Sequence, residues 1–467
     1  MKRVANICLA LLAISCVSRL AAADTKPNII FIVSDDQRPD TIRALGNPVI
    51  QTPQLDRLAA RGSVFPRAIA AYPICYASRA EILTGCCAFR AFPRYPTGAI
   101  DPQLATLAGT FQQAGYTTCY TGKWHNDGHP RQRGYTCTSG LFSSGGAQGA
   151  KGTAVDTQGR PVTGYVGWTF KTDDGRVELE KGVGLTPRTS EHIADGAIAF
   201  LQQKPARPFL LHVNFAAPHD PRMMPPGYQG RYDPKTIPLP ENFAPQHPFD
   251  HGNIAGRDEK LLAKPLDPDD VRRELACYYA VISHMDQQVG RICDALEAAG
   301  RKEDTLIIFT TDQGLALGSH GLLGKQNMYE HTVGVPLIIA GPGVPGGRRF
   351  SAQCYLRDLF PTCCELAGLP IPKSVQGKSL LPVLRGQADR IRDFVIAYFM
   401  GTQRMIRDER WKLVVYPQAG RQQLFDLQTD PHELHDLSAD ARHAERMPGL
   451  RAKLQSWLAR QGDGVLK

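Results

Sequence analysis

The sequence predicts an α/β protein: a large domain whose mainly parallel central sheet lies between helices, followed by a small C-terminal α+β domain with an antiparallel sheet. Three short runs, at residues 28–33, 208–216 and 305–311, are apolar almost throughout, the pattern of strands buried on both faces. Segments of helical spacing lie between them, the alternation that makes neighbouring strands parallel. After about residue 386 the pattern shortens into strands joined by polar turns.

Taken in order, Lys2-Arg3, an apolar run from Ile7 to Val17 and Ala21-Ala22-Ala23 follow the charged, apolar and small-residue plan of a secretory signal peptide, with cleavage expected after Ala23. The mature protein is therefore expected in the periplasm or outside the cell. Small residues before Cys16 would also suit a lipid anchor, but the Ala-x-Ala site explains the same segment without one. The first strand, Asn28-Ile29-Ile30-Phe31-Ile32-Val33, delivers Ser34-Asp35-Asp36 at its carboxyl end. Gln54 to Arg61, Leu104 to Ala114, Ser190 to Gln203 and Val271 to Ala299 carry helical spacing and charge. Pro208 to Ala216 is a second buried strand ending at Ala217-Pro218-His219, and Thr305 to Thr311 a third ending at Asp312-Gln313. Ligands of parallel sheets collect outside the carboxyl ends of the strands, where these acids sit. Two irregular stretches, Gly128 to Gly184 and Met223 to Pro268, read as long surface loops around a site. In the tail, Phe394 to Phe399, Met405-Ile406, Trp411 to Tyr416 and Gln423 to Leu427 read as strands, and Arg442 to Arg460 as a closing amphipathic helix. The expected boundaries are 1–23 for the signal peptide, 24–386 for the large domain and 387–467 for the small one.

With 467 residues, 42% apolar and 21% charged, the chain can bury a large core and need not be disordered. No segment after the leader approaches the roughly 18 apolar residues of a membrane-spanning helix. Loss of Lys2, Arg3 and Arg19 lowers the formal charge from +9 to +6. That mild excess solubilises the surface or attracts a polyanionic substrate; without Lys/Arg runs it does not suggest nucleic acid. Ten of the twelve cysteines remain after the leader. Export permits disulfides, yet the neighbours Cys86-Cys87 and Cys363-Cys364 leave the pairing open.

Asp35-Asp36 and Asp312-Gln313 together offer three carboxylates and one amide oxygen, each pair at the end of a buried strand. An all-oxygen donor set of this kind suits Ca²⁺ or Mg²⁺ rather than Zn²⁺. One such pair alone would be read as a turn or a helix cap. An isolated Cys75 would likewise be read as a small buried residue or half of a disulfide.

Its surroundings change that reading. Cys75-Tyr76-Ala77-Ser78-Arg79, followed by Ala80-Glu81-Ile82-Leu83-Thr84-Gly85, resembles the signature of the type I sulfatases of the alkaline phosphatase superfamily. Thr52-Pro53-Gln54-Leu55-Asp56-Arg57-Leu58-Ala59, Gly122-Lys123-Trp124-His125 and Ala217-Pro218-His219-Asp220-Pro221 are similar to further segments of that family. So are Thr311-Asp312-Gln313-Gly314, the run from Gly318 to Lys325, and in the tail Trp411-Lys412-Leu413 and Leu424 to Leu427. Ala77 stands where the commonest family form has Pro, and Gln313 where Asn or His is often found.

The resemblance implies an alkaline-phosphatase-like fold and hydrolysis of sulfate monoesters on a sulfated small molecule or glycan. It implies that a formylglycine-generating maturation enzyme oxidises Cys75 to formylglycine, whose hydrate is the nucleophile. Asp35, Asp36, Asp312, Gln313 and residue 75 would hold Ca²⁺ or Mg²⁺. Arg79 would orient the hydrate, Lys123 and Lys325 would bind sulfate, and His125 would take the proton that lets sulfate leave. His219 would protonate the leaving oxygen, with Lys325 as its rival, while His320 reads equally as site-lining or structural. A sulfated carbohydrate is the expected substrate. The alternatives are a phosphonate or phosphate ester hydrolase of the same superfamily, since sulfuryl and phosphoryl groups are similar in size, and a catalytically silent secreted binding protein.

Overall fold

A computed structural model describes residues 26–95 and 98–466; the leader read from residues 1–23, with Cys16 and the cleavage site, lies outside them. In chain order the strands are β1 (Asn28–Ser34), β2 (Ser63–Val64), β3 (Ala68–Ile69), β4 (Thr117–Trp124) and β5 (Cys137–Ser143). They continue with β6 (Thr169–Lys171), β7 (Phe209–Asn214), β8 (Thr305–Thr311), β9 (Leu337–Ala340), β10 (Arg348–Arg349) and β11 (Cys354–Tyr355). The last four are β12 (Val395–Phe399), β13 (Gln403–Arg407), β14 (Trp411–Tyr416) and β15 (Arg421–Asp426).

Nine strands form one sheet in the order β10-β2-β9-β8-β1-β7-β4-β5-β6. The centre, β8-β1-β7-β4-β5, is parallel, whereas β9 and β6 run antiparallel to their neighbours. Side-chain alternation explains why β1 is apolar from Ile29 to Val33. Ile29, Phe31 and Val33 enter the core on one face, and Ile30 and Ile32 enter the core on the other.

The second core is closed by the helix Pro268–Ala298, which presents Leu275, Ile282, Val289 and Leu296 at seven-residue spacing. Pro268 occupies its first turn and the Asp267 carboxylate accepts the N–H groups of Asp269 and Asp270, the combination that starts a helix without orphaned donors. The first core continues into the four-stranded antiparallel sheet β12-β13-β14-β15 through Ile396 and Leu413. There the helix Arg446–Arg460 lays Leu450, Leu454 and Leu458 against it. No helix among the described residues is long and apolar enough to cross a membrane.

The glycine-rich stretch 128–184 departs from the irregular loop expected of it. It contributes β5 and β6 to the main sheet. β5 reads Cys-Thr-Ser-Gly-Leu-Phe-Ser, with two adjacent apolar residues and no alternation, so it is held by its register against β4 rather than by a pattern of its own. The stretch 223–268 holds only two short 3-10 turns, Pro234–Thr236 and Asp258–Lys260.

Register places the functional edge. Val33 lies beside Asn214, Ser34 beside Thr311, and Gly122 beside Asn214. The carboxyl ends of β1, β4, β7 and β8 therefore open at one rim, and the residues that follow them meet there. Gly122 has to be glycine: its φ is +85°, and a Cβ would collide with the carbonyl oxygen of Asn214 just where the chain turns Lys123 into the rim.

Candidate active site

Cys75 opens the helix Cys75–Thr84, whose residues are all buried except Tyr76 and whose last turn is closed by Gly85 at φ +66°. The thiol thus lies at the positive end of a helix dipole, at the floor of the rim, with 2% of its surface exposed. Its Sγ is 3.3 Å from Asp35 Oδ1 and 4.0 Å from Asp36 Oδ1, and it accepts from Gln313 Nε2 at 3.2 Å. Gln313 Nε2 also donates to Asp36 Oδ1 at 2.5 Å, and Asp312 Oδ1 accepts the Asp36 N–H at 3.1 Å. Asp36 itself adopts φ +63°, a costly conformation for an aspartate, which turns its carboxylate toward this group.

Three cations surround the acids. Arg79 reaches Asp312 Oδ2 through Nε at 3.0 Å and a terminal nitrogen at 2.9 Å, and donates to Asn214 Oδ1 at 2.7 Å. Lys123 Nζ lies 2.5 Å from Asp35 Oδ2, and Lys325 Nζ 2.7 Å from Asp36 Oδ2. Burial pushes the Asp35 carboxyl up, but Lys123, His219 and Arg79 outweigh it and hold the group well below the usual range. Asp36 goes the other way, to about 7, because burial and the neighbouring acids Asp35 and Asp312 exceed the pull of Lys325. Burial also raises the Cys75 thiol above its ordinary value.

Lys325 Nζ is 2.8 Å from His219 Nε2, and His219 Nδ1 is 2.5 Å from the carbonyl oxygen of Asp220. A carbonyl only accepts, so Nδ1 carries the ring proton and Nε2 offers a lone pair to the ammonium. Burial and the Lys325 charge hold this imidazole well below its ordinary pKa. His125 hydrogen-bonds no described residue and its ring lies edge-on to Trp168 at 5.3 Å, but it stands beside the cluster, where burial and the Lys123 charge lower its imidazole to about 3. His320 stacks on Tyr329 at 3.9 Å and meets Asn242 at 3.1 Å, so its contacts lie outside the acidic cluster.

Three further residues belong to the site although no sequence pattern pointed to them. Tyr165 donates its hydroxyl to Asp35 Oδ2, faces the Lys123 ammonium with its ring at 5.1 Å, and packs edge-on against His219 at 4.8 Å. Asn214 fixes Arg79. Arg257 clasps Asp220 with nitrogens at 2.6 and 2.9 Å and thereby steadies the segment that carries His219. A tyrosine inside a glycine-rich stretch and an asparagine ending a strand give no signal by spacing.

A family model described as Sulfatase matches residues 27–369, and one described as N-sulphoglucosamine sulphohydrolase, C-terminal, matches residues 318–460. The chain belongs to the sulfatase family. An arylsulfatase of Clostridium perfringens is 30% identical to it over 466 residues, covering 94% of this chain and 96% of that one. A structure solved in complex with its substrate, D-glucosamine-2-N,6-O-disulfate, superposes with a TM-score of 0.77 at 25% identity, covering 94% of this sulfatase and 99% of that chain. A phosphonate monoester hydrolase of Agrobacterium radiobacter superposes equally, with a TM-score of 0.77 at 25% identity over 93% of this chain and 96% of that one. The fold is thus alkaline-phosphatase-like, and the sulfatase is a sulfuric ester hydrolase.

The donor set of this sulfatase fits a hard dication. Ligand atoms of Asp35, Asp36, Cys75 and His219 all lie within 4.8 Å of one another. Asp312 and Gln313 adjoin them, and Gln313 Oε1 is buried without a hydrogen-bond partner among the described residues. A buried carboxyl held near 7 beside two other carboxyls is a group that a cation would relieve. Oxygen donors dominate, as Ca²⁺ and Mg²⁺ require.

Proposed function

We propose that this sulfatase hydrolyses sulfate monoesters of a sulfated carbohydrate, with a formylglycine made from Cys75 as nucleophile and a cation held by Asp35, Asp36, Asp312, Gln313 and residue 75. The observation that carries the reading is the convergence of Cys75, three buried carboxylates and three buried cations in one pocket. Formal charges of the acids and bases cancel there, so a bound dication makes the pocket net positive, and an anionic ester is attracted while a neutral one is not. The cation, Ca²⁺ or Mg²⁺, supplies charge to hold sulfate oxygens and to acidify a neighbouring hydroxyl. A hydrated aldehyde at position 75 supplies two hydroxyls on one carbon, one to attack sulfur and one to release sulfate afterwards.

The remaining work falls to the side chains. Lys123 and Lys325, paired with Asp35 and Asp36, bring ammonium groups to the acids around residue 75 and neutralise charge that spreads onto the sulfate oxygens. Arg79, gripped by Asp312 and Asn214, keeps its guanidinium fixed against the floor and orients residue 75. Because His219 Nε2 is an acceptor, the proton for the leaving oxygen starts on Lys325, and His219 shares and steers it. His125, exposed at the mouth, takes the proton that lets sulfate leave.

A glycan substrate is supported by the relative solved with a glucosamine disulfate and by the model described for a sulphoglucosamine sulphohydrolase. The similarity to a phosphonate monoester hydrolase supports a second activity on phosphonate esters at the same site. Two experiments test the proposal. Mass spectrometry of the peptide from Arg67 to Arg79, from protein made in its own host, should find the aldehyde or its hydrate at position 75; a fully occupied thiol would remove the nucleophile. Rates on matched aryl sulfate and aryl phosphonate esters should favour sulfate, and release from sulfated glucosamines should follow. Turnover confined to aryl esters would reject the carbohydrate.

A further inference from the structure

The ten cysteines among the described residues are free thiols, and two of them face each other across the main sheet. Cys119 on β4 and Cys137 on β5 are direct register partners in a parallel pair. Neighbouring strands run about 4.8 Å apart, inside the roughly 4.4–6.8 Å Cα separation that a disulfide spans. Register partners point to the same face of a pleated sheet, and both sulfurs turn toward the apolar layer of Phe142 and Ile193. Cys137 Sγ lies 3.9 Å from the carbonyl oxygen of Thr118, the residue before Cys119 on β4.

Their exposure is unequal. Cys119 is sealed, while Cys137 is partly open to solvent. Interaction with Cys119 holds the Cys137 thiol below its ordinary value, and interaction with Cys137 together with burial raises Cys119 well above its own. One accessible, more acidic sulfur backed by one buried sulfur is the arrangement in which the first is attacked and the second resolves.

We propose that Cys119 and Cys137 close a disulfide between β4 and β5 when the chain meets an exported disulfide oxidant. The Cys137 thiolate attacks the oxidant's S–S bond and forms a mixed disulfide, releasing one thiolate of the oxidant. Cys119 then gives up its proton and displaces the second oxidant sulfur from Cys137. Two electrons and two protons leave the pair, and the oxidant's one disulfide becomes two thiols. The link ties β5, which has little apolar pattern to hold it, to the strand that carries Lys123. It does not depend on the chemistry assigned to Cys75.

The test uses the whole exported protein, acid-quenched and alkylated with N-ethylmaleimide without reductant. Trypsin then releases residues 95–123 and 134–151, which carry Cys119 and Cys137 respectively and no other cysteine. The expected result is one linked species, and a fall in Tm of about 3 °C on reduction for a loop of this length in a chain of this size. Cys137→Ser should lose both the linked mass and the reductant-sensitive shift. Should that variant fail to fold, the linked peptide of the unaltered protein still decides. Recovery of both peptides carrying maleimide from the exported protein would overturn the proposal.

Discussion

Tyr165→Phe takes one oxygen atom from the pocket and leaves its walls standing. The ring keeps Trp168 and His219, each at 4.8 Å, and the Lys123 ammonium at 5.1 Å. What disappears is the hydroxyl that donates to Asp35 Oδ2. A hydrogen bond to a charged group contributes about 1.5–3 kcal/mol, and tenfold in rate corresponds to about 1.4 kcal/mol, so the bracket is roughly 10–150-fold. Lys123 still holds the same oxygen at 2.5 Å, which places the expected loss in kcat/KM near the lower end, about 10–30-fold. Steady-state hydrolysis of an aryl sulfate by matured enzyme measures it, and calorimetric titration with Ca²⁺ gives a second readout, in which affinity should fall in parallel. Burial raises the phenol well above its ordinary pKa, so the ratio of variant to parent should stay flat across neutral pH. If Tyr165→Phe matches the parent within about twofold in both readouts, the hydroxyl does not position Asp35 and the assignment is wrong.

Cys75→Ala should abolish turnover with a Tm within about 2 °C of the parent, because one small side chain is lost and the helix around it is buried on every other contact; retained activity excludes the nucleophile. Removal of divalent cations should lower Tm by about 3 °C relative to protein held at 100 times the Kd, as followed by calorimetry, and Ca²⁺ should restore it. Lys325→Ala should slow hydrolysis of an alkyl or sugar sulfate by about 10²–10⁴-fold and a nitrophenyl sulfate far less, since nitrophenolate leaves without a proton; equal losses would take the proton away from Lys325. Burial first, then His247, holds His251 down to about 4. Its folded value lies below its unfolded value of about 6.5, so the neutral ring stabilises the protein above that pH and the contribution, about 3 kcal/mol at most, is lost as pH falls from about 6.5 to 4. His251→Gln should therefore cost less in Tm at pH 4.5 than at pH 7; an unchanged difference would contradict it.

Strands β1 and β8 were legible because burial on both faces leaves an unbroken apolar run, Ile29-Ile30-Phe31-Ile32-Val33 in one and Leu306-Ile307-Ile308-Phe309 in the other. Their acids were legible for a topological reason, since parallel strands point their carboxyl ends one way and so bring Asp35 and Asp312 to one rim; β4, which carries Lys123 to the same rim, was not legible as a strand because Thr117-Thr118-Cys119-Tyr120-Thr121-Gly122 holds no apolar run. β5 was hidden because its place comes from a neighbour's edge, and β9 because four apolar residues are too few to separate a strand from any other buried run. Tyr165 was hidden for a different reason. It reaches Asp35 from a stretch of loops and turns at φ +58°, a backbone angle that its residue type does not advertise.

The sealing of Cys75 sets the order of events in the life of this sulfatase. With 2% of its surface exposed and a helix wrapped behind it, the side chain cannot enter the active cleft of a second protein once the sheet has closed over it. Under the formylglycine chemistry proposed above, oxidation of that carbon by another enzyme would have to happen on a nascent or still unfolded chain, before the strands assemble. Folding then acts as a deadline: polypeptide that collapses early keeps its thiol for good, and the yield of working enzyme from any host is fixed by a race between the modifier and the fold.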